Sequence, residues 1–241
     1  MEWVIAAASV VIAGVGVALW WRWLAKRQQY WRVQLADAIP VNSAVWRARR
    51  TEDGDLLYVA VGDSAAQGIG ASTPSRGYVG LVASAIEGMT GTTPRVANLA
   101  SSGATLAIAI ENQLPRLSHL EPDVLTVSIG ANDIAGFDAG RFEREIAILL
   151  DALPKHAIVA DLPSFYFLPA EKKVRVANRL LRAAAAERGL TVVPLHARTK
   201  RYGLWGVARQ FAGDLFHPND RGYRVWADAF LPAVSARLSE R

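Results

Sequence analysis

The sequence predicts an α/β protein, built as one three-layer α/β/α sandwich with a parallel sheet and preceded by a single N-terminal transmembrane helix. Three observations lead to this prediction. Residues 3–21 carry no charge, short apolar runs recur from residue 56 onward, and longer amphipathic segments separate these runs. Continuous apolar runs are typical of parallel strands buried on both faces. Alternating strands and helices are typical of a sheet covered by helices on both sides.

The N-terminal run, WVIAAASVVIAGVGVALWW, has the length of a membrane-spanning helix. As a helix it would extend roughly 28 Å, close to the hydrocarbon thickness of a bilayer. Trp20, Trp21 and Trp23 stand where an interfacial aromatic belt would lie, with basic residues beyond them. A cleaved signal peptide fits less well because no Lys or Arg precedes the run. A buried core helix is the remaining alternative.

The charges around this run predict how the chain is organised. All nearby Lys and Arg lie on its C-terminal side, so the positive-inside rule places the globular part in the cytoplasm, with the opposite side left open. Residues 1–27 are predicted as a transmembrane anchor with a basic flank, residues 28–50 as a juxtamembrane linker and residues 51–241 as one globular domain. The linker would lie along an anionic membrane surface or pack on the domain.

Charge and composition exclude several classes of function. The formal charge of +5 belongs to residues 1–50, which hold seven Lys/Arg against two acidic residues, while residues 51–241 are balanced. The globular part therefore gives no electrostatic reason to expect nucleic acid as a partner.

The absence of cysteine excludes disulfides, thiolate metal sites and cysteine nucleophiles. No metal-ligand spacing, P-loop or dinucleotide fingerprint is present, so no cofactor is predicted. The oligomeric state stays open.

The apolar runs and amphipathic segments give the individual elements. The predicted strands cover residues 56–61, 95–99, 124–129, 157–161 and 191–195. The predicted helices cover residues 78–89, 105–117, 140–153, 170–188 and 219–238.

Small polar residues follow three of the strands and recur near the C-terminus. The first strand runs into Gly62, Asp63 and Ser64, the second is followed by residues 98–103, and the third by residues 130–133. The fourth cluster is residues 214–218. Because ligands of open α/β sheets bind outside the carboxyl ends of the strands, we expect these clusters to form one site.

These four clusters resemble the four sequence blocks of the SGNH (GDSL-type) hydrolases. The blocks read GDSAAQG, NLASSGAT, GANDI and DLFHPND, in the family's order, and the resemblance covers about residues 56–225. It implies the SGNH hydrolase fold, with a flavodoxin-like parallel sheet, and makes residues 51–241 an SGNH hydrolase domain. The leucine that gives the GDSL motif its name is Ala65 here, which is a difference in packing and not in chemistry.

The resemblance also implies a role for each site residue. Ser64 is the nucleophile, which needs a base to take its proton. His217 is that base, and Asp214 reaches its other ring nitrogen. The backbone N–H groups of Ser64 and Gly103 and the side-chain amide of Asn132 form the oxyanion hole. The competing interpretation is that these are turn residues, with the Asp214 carboxylate satisfying backbone N–H groups.

The predicted function is that of a serine esterase, which hydrolyses a lipid, lysophospholipid or short acyl ester through an acyl-enzyme on Ser64. The partners are that ester and, through the N-terminal helix, a membrane. A carbohydrate or cell-envelope O-acetyl esterase of the same family and a non-catalytic, membrane-tethered binding module are the alternatives. Transfer of the acyl group to an alcohol is not separable from hydrolysis by sequence.

His119, His156 and His196 match no block and are predicted to be structural or exposed.

Overall fold

Five parallel strands form one sheet in the part of the chain that this computed structural model describes, namely the backbone of residues 2–240 and the side chains of residues 14–240. The strand order is β2-β1-β3-β4-β5. All five predicted strands are confirmed, with bounds that differ by at most two residues. The strands are β1 (Leu57–Gly62), β2 (Arg95–Asn98), β3 (Val124–Ser128), β4 (Ile158–Ala160) and β5 (Thr191–Val193).

Helices lie on both sides of this sheet, as the α/β/α prediction requires. They are α1 (Glu2–Arg49), α2 (Ser64–Gln67), α3 (Tyr78–Thr90), α4 (Leu106–Asn112), α5 (Leu114–Leu117), α6 (Ala139–Asp151), α7 (Ala170–Glu187), α8 (Leu195–Lys200), α9 (Gly203–Gln210) and α10 (Asp220–Ser239). Two 3-10 turns cover Pro74–Arg76 and Asn132–Ile134.

Alternate residues of each strand face the two layers, because side chains alternate along a strand. In β1, Val59 and Val61 pack in the core beneath α4, α6 and α7, whereas Tyr58 and Ala60 pack in the core beneath α3 and α10. Both faces of the sheet are therefore buried, which is the reason that the strands read as continuous apolar runs.

The predicted helices are confirmed except at one point. The segment 105–117 forms α4 and α5 instead of one helix, and Pro115 lies at the start of α5. Proline has no N–H to donate within a continuing helix and its ring clashes with the preceding turn, so the helix breaks there. The sequence pattern missed α8 and α9, which are short, and α9 also contains Gly203 and Gly206.

The N-terminal segment forms one helix, because α1 continues through residues 28–49, the segment predicted as a juxtamembrane linker. The C-terminal part of α1 packs on the domain, where Asn42 and Trp46 are buried. Within the residues whose side chains are described, no helix is both long and apolar enough to cross a membrane. The predicted transmembrane helix is therefore not confirmed, and most of its apolar run, residues 3–13, lies outside the described side chains.

Candidate active site

The strand order brings the predicted polar clusters to one edge of the sheet. The chain leaves β1 for β2 on one side, and β3 lies on the other side of β1, so connections diverge between β1 and β3. Ligand sites of open α/β sheets lie at such a switch point. Ser64 follows β1 and Asn132 follows β3, so both lie at this point.

A tight strand-to-helix turn presents Ser64. Asp63 is extended and caps α2, since its Oδ1 accepts a hydrogen bond from the backbone N–H of Ala65 at 2.9 Å. Only glycine fits at position 62, because a Cβ there would lie 2.6 Å from the carbonyl oxygen of Ser128 and 2.8 Å from the Cβ of Ala66. The polar residues after the first strand therefore hold a serine at the sheet edge.

Ser64, His217 and Asp214 form one hydrogen-bonded line. The Nε2 atom of His217 lies 3.0 Å from the Oγ of Ser64, and its Nδ1 atom lies 2.7 Å from the Oδ2 of Asp214. The fold brings this serine and histidine together across 153 positions of sequence. In this arrangement His217 can take the hydroxyl proton while Asp214 fixes the ring tautomer.

The Asp214 carboxylate also orders the loop that carries His217. Its Oδ1 accepts hydrogen bonds from the backbone N–H groups of Phe216 and His217 at 3.0 and 3.1 Å, and Leu215, which follows Asp214, has a left-handed φ of +57°. Burial alone would raise the pKa of Asp214, but the hydrogen bonds from His217 and Phe216 outweigh it and hold the pKa below its ordinary value. One carboxylate therefore satisfies the backbone and orients the imidazole, so the two sequence interpretations of Asp214 are compatible.

Contacts on both sides hold the His217 loop. The carbonyl of His217 accepts the N–H of Ala212 at 2.8 Å, and Asn219 caps α10 while donating its amide to the carbonyls of Arg209 and Phe211. Gly70 lies beneath the loop with a φ of +95°, where a Cβ would stand 2.4 Å from the carbonyl oxygen of Pro218. Gly70, two residues beyond the first block, therefore lets the chain pass under the histidine.

The predicted oxyanion donors occupy different positions relative to the site. Asn132 borders the cavity beside Ser64, and its Nδ2 donates one hydrogen to the carbonyl of Ala104 at 2.9 Å. The second hydrogen of that amide has no partner among the described residues. Gly103 is exposed in the loop after β2, with a φ of +78° that favours glycine. It does not line the cavity, although its neighbour Ala104 is bonded to Asn132.

Two buried aspartates next to the site accept hydrogen bonds from backbone N–H groups. Burial raises the pKa of Asp63 from 3.8 to about 6, although the N–H of Ala65 and nearby His217 act in the opposite direction. Asp133 accepts the N–H of Leu106 at the start of α4, and burial raises the pKa of its carboxyl too. Both residues therefore act on the loops that carry their neighbours Ser64 and Asn132.

Sequence reasoning missed the residues that position α2 and the end of β1. The Gln113 side chain donates to the carbonyl of Gly62 at 2.8 Å and accepts its N–H at 3.0 Å. Asn98 donates to the carbonyl of Ala66 at 2.7 Å. Gln113 belongs to no block, so no sequence signal marks it, whereas Asn98 begins the second block.

The long helix α1 completes this support. Both the Nδ2 of Asn42 and the Nε1 of Trp46 donate to the carbonyl of Gln67, each at 3.0 Å. Gln67 in turn donates to the carbonyl of Ala100. Since the last carbonyls of a helix have no intrahelical partner, these donors satisfy the end of the helix that begins with Ser64.

A largely apolar cavity opens beside Ser64. Its apolar wall comes from the loop before α7, from the end of α9 and from the His217 loop, and consists of Pro163, Phe165, Tyr166, Phe167, Val207, Phe211, Leu215 and Phe216. Asp63, Ser64, Asn132 and His217 are among its polar residues. The cavity therefore suits a substrate with an apolar group next to its reacting bond.

The remaining histidines lie away from the site. His119 is exposed, His156 contacts the carbonyl of Pro122, and the Nε2 of His196 lies 2.9 Å from the Oε1 of Glu171. Glu171 also accepts the N–H of Phe165, so this pair braces a wall of the cavity. Among the described residues no group of His, Asp and Glu has the arrangement of a metal site.

A serine with a histidine base and a carboxylate, at the carboxyl edge of a parallel sheet, defines a serine hydrolase. The family profile described as GDSL-like Lipase/Acylhydrolase matches residues 60–225, and the chain belongs to this family. It is accordingly an enzyme that acts on ester bonds. The SGNH resemblance and the parallel-sheet fold are thereby confirmed. The comparison with curated proteins found no significant match.

Solved structures share the fold. An α/β hydrolase from the metagenome of Lake Arreo, Spain, is 23% identical with a TM-score of 0.63, over 78% of this chain and 99% of that one. A lipase/acylhydrolase from Enterococcus faecalis is 17% identical with a TM-score of 0.64, over 76% and 96%. An acetylxylan esterase from Geobacillus stearothermophilus is 21% identical with a TM-score of 0.57, over 75% and 94%.

Proposed function

We propose that this protein is a serine esterase that hydrolyses an ester with an apolar acyl chain through an acyl-enzyme on Ser64. The observation that carries the proposal is the Ser64–His217–Asp214 hydrogen-bonded line beside an aromatic-lined cavity. A binding module would have no need for a hydroxyl held at 3.0 Å from a histidine base. A small O-acetyl group would leave most of the apolar wall unused.

The proposed reaction proceeds in two acyl transfers. The Oγ of Ser64 attacks the ester carbonyl carbon while its proton passes to the Nε2 of His217. The oxyanion accepts hydrogen bonds from the side-chain amide of Asn132 and from backbone N–H groups. The tetrahedral adduct collapses, His217 gives its proton to the departing alcohol oxygen, and the acyl group stays on Ser64. Water then attacks the acyl-enzyme with His217 again as base and releases the acid.

The test uses the full chain on p-nitrophenyl esters from acetyl to palmitoyl. We expect turnover that rises beyond acetyl, as the apolar wall contacts a longer chain, and that falls on the order of 10⁴-fold or more in Ser64→Ala. Ser118→Ala, at an exposed serine, is the matched control. A folded Ser64→Ala protein with wild-type turnover would refute the acyl-enzyme. A preference for acetyl would favour the O-acetyl esterase instead.

Labelling by a fluorophosphonate distinguishes a wrong substrate from a missing activity. The reagent phosphonylates a serine that a neighbouring base activates, whatever the natural ester. Labelling of the wild type but not of Ser64→Ala would support a nucleophilic Ser64 even if every p-nitrophenyl ester fails. No labelling would favour the non-catalytic binding module.

The location of the protein is a separate proposal that rests on sequence. We infer that residues 3–21 attach the chain to a membrane and that the basic flank keeps the domain on the cytoplasmic side. Trp20, Trp21 and Trp23 are exposed on α1, as residues of a membrane interface would be. Alkaline extraction of membranes tests the attachment, and protease added to sealed cells or vesicles tests the side.

A further inference from the structure

Exposed apolar side chains surround the mouth of the cavity. Phe167, Leu168, Leu204, Trp205 and Phe216, here called the mouth patch, are 56%, 64%, 71%, 71% and 47% exposed. Phe167 and Phe216 also line the cavity. Apolar side chains gathered beside a binding site, rather than scattered singly, indicate a surface that meets a partner.

The mouth patch is one surface because its loop and its helix pack together. Tyr166, next to Phe167, donates its hydroxyl to the carbonyl of Thr199 at 2.8 Å, just before α9. Its ring lies edge-on to that of Phe211 at the end of α9, at 5.9 Å. A Cβ on Gly206 would come within 2.7 Å of the Tyr166 hydroxyl, so this loop packs directly against α9 at Gly206, between Trp205 and Val207.

The charges around the mouth patch are positive. Segments 165–175 and 195–211 contain one acidic residue, Glu171, which is 3% exposed and bonded to its neighbours. The basic residues of the two segments are Lys172, Lys173, Arg175, Arg198, Lys200, Arg201 and Arg209. Two of them lie over aromatic rings, Arg201 over Tyr202 at 5.3 Å and Arg209 over Trp205 at 5.1 Å.

Exposed Trp, Leu and Phe on segments rich in Lys and Arg are typical of surfaces that enter the headgroup region of anionic bilayers. The helix α1 also carries exposed tryptophans next to basic residues, and it contacts the loop that leads to His217. Trp31 packs on Gly213 in the loop between α9 and His217, since a Cβ at Gly213 would overlap its ring. The described residues 14–22 that precede it are all exposed, so this part of α1 does not pack on the domain.

We propose that the mouth patch docks onto the surface of an anionic phospholipid bilayer, so that an ester leaving that surface enters the cavity beside Ser64. The substrate class named here, an ester embedded in lipid, rests on the proposed function. The docking itself does not, because it needs no chemistry at Ser64. A protein partner seated on the same residues would instead cover the entrance to the cavity.

The test uses a single label on the full chain, which contains no cysteine. Leu204→Cys places an environment-sensitive fluorophore on the mouth patch. Ile148→Cys places the same label at an exposed apolar position of α6, a helix of the layer formed with α4 and α7. Each protein is mixed with vesicles of phosphatidylcholine and phosphatidylserine, with or without a lipid-borne quencher, and with vesicles of phosphatidylcholine alone. Because the label reports local insertion, attachment through α1 does not mask the result.

We expect the Leu204→Cys label to shift to the blue and to be quenched on anionic vesicles, at about tenfold less lipid than on neutral ones, and the Ile148→Cys label not to respond. Equal responses of the two labels, or none from Leu204→Cys, would overturn the proposal. A blue shift without lipid that grows with protein concentration would overturn it too, since a second copy would then cover the patch.

Activity separates the docking proposal from the proposed function. A Leu204→Ser, Trp205→Ser variant should hydrolyse soluble p-nitrophenyl acetate like the wild type but lose on the order of fivefold or more on an ester presented in anionic vesicles. Ile148→Ser should lose nothing on either substrate. A wild type without serine-dependent turnover would refute the esterase and leave the label result standing. Equal loss on both substrates would refute docking as the role of the patch.

Discussion

The side chain of Asn132 is the donor whose loss should act on the transition state. Its Nδ2 donates one hydrogen bond to the carbonyl of Ala104, the second amide hydrogen has no partner among the described residues, and Asn132 lines the cavity. We expect Asn132→Ala to lower kcat on the order of 10²-fold with a much smaller change in KM, because the oxyanion forms only after attack. Steady-state kinetics on a p-nitrophenyl ester measures the split. A rise in KM at unchanged kcat would make Asn132 a ground-state binding residue instead.

Gly70 should be required for the position of His217 rather than for folding. An added Cβ would lie 2.9 Å from the Cβ of His217, so the loop must move if residue 70 is alanine. We expect Gly70→Ala to reduce kcat on the order of 10²-fold, since misplacement of a catalytic group by about 1 Å has this effect.

Gly91 provides the matched control for that substitution. It has a comparable left-handed φ of +75°, but an added Cβ there meets nothing within 4 Å. Gly91→Ala should therefore carry the same backbone strain, on the order of 1 kcal/mol, without loss of activity. Equal activities of the two variants would show that Gly70 does not position His217.

Asp63 should make stability depend on pH. Its pKa is about 6 in the folded protein against 3.8 ordinarily, so the folded state retains a proton that the unfolded state has lost between these values. The stability that the neutral carboxyl provides is complete below about pH 4 and disappears as the pH rises past 6. The two pKa units correspond to about 3 kcal/mol.

Asp63→Asn isolates this effect because asparagine also caps a helix but does not titrate. We expect the free energy of unfolding of the wild type, measured relative to Asp63→Asn by denaturant titration, to fall by up to about 3 kcal/mol from pH 4 to pH 7. A difference that stays constant with pH would mean that the Asp63 carboxyl is ionised throughout this range.

Two side chains of α1 bond the same carbonyl of α2, so the effects of removing them on the free energy of unfolding should not be additive. Asn42 and Trp46 donate to the same carbonyl of Gln67, so either alone keeps that buried oxygen bonded. We expect Asn42→Ala and Trp46→Phe to destabilise the protein modestly, and the double variant to exceed their sum by about 1 kcal/mol or more, when the oxygen loses both donors. Unfolding of the four proteins in denaturant completes the cycle, and strict additivity would contradict this account.

The extent of the folded domain follows from the same helix. The domain boundary at residue 51 remains a prediction from sequence, whereas Asn42 and Trp46 of α1 are buried against the domain. We expect a protein of residues 28–241 to keep the stability of the full chain. Removal of residues 1–50 should lower Tm by on the order of 10 °C, because the burial of Trp46 and both bonds to Gln67 are lost. Equal melting of the two truncated proteins would restore the boundary at 51.

The layered fold was readable from sequence because its signals are local. A parallel strand buried on both faces must be a short apolar run, and a helix on the sheet must be amphipathic, so β1 to β5 and helices such as α6 and α7 appear in the pattern itself. The helices α8 and α9 did not, since α8 has only six residues and begins at the end of a predicted strand, and glycines and exposed aromatics interrupt the periodicity of α9. The continuation of α1 to Arg49 was missed because the end of the apolar run suggested that the helix stops near residue 27.

The candidate site divides in the same way. Its candidate residues stand in short blocks. The polar turns after two predicted strands placed Ser64 and Asn132 at one edge from sequence, and the resemblance to the SGNH hydrolases added Asp214 and His217. Which groups hold those residues depends on contacts between distant segments, and no local pattern encodes them. Gln113 bonds the backbone of Gly62 from 51 positions away, and Trp46 reaches Gln67 across 21. The mouth patch also depends on contacts between distant segments, because the loop before α7 and the helix α9 share one surface only when Tyr166 packs on Gly206.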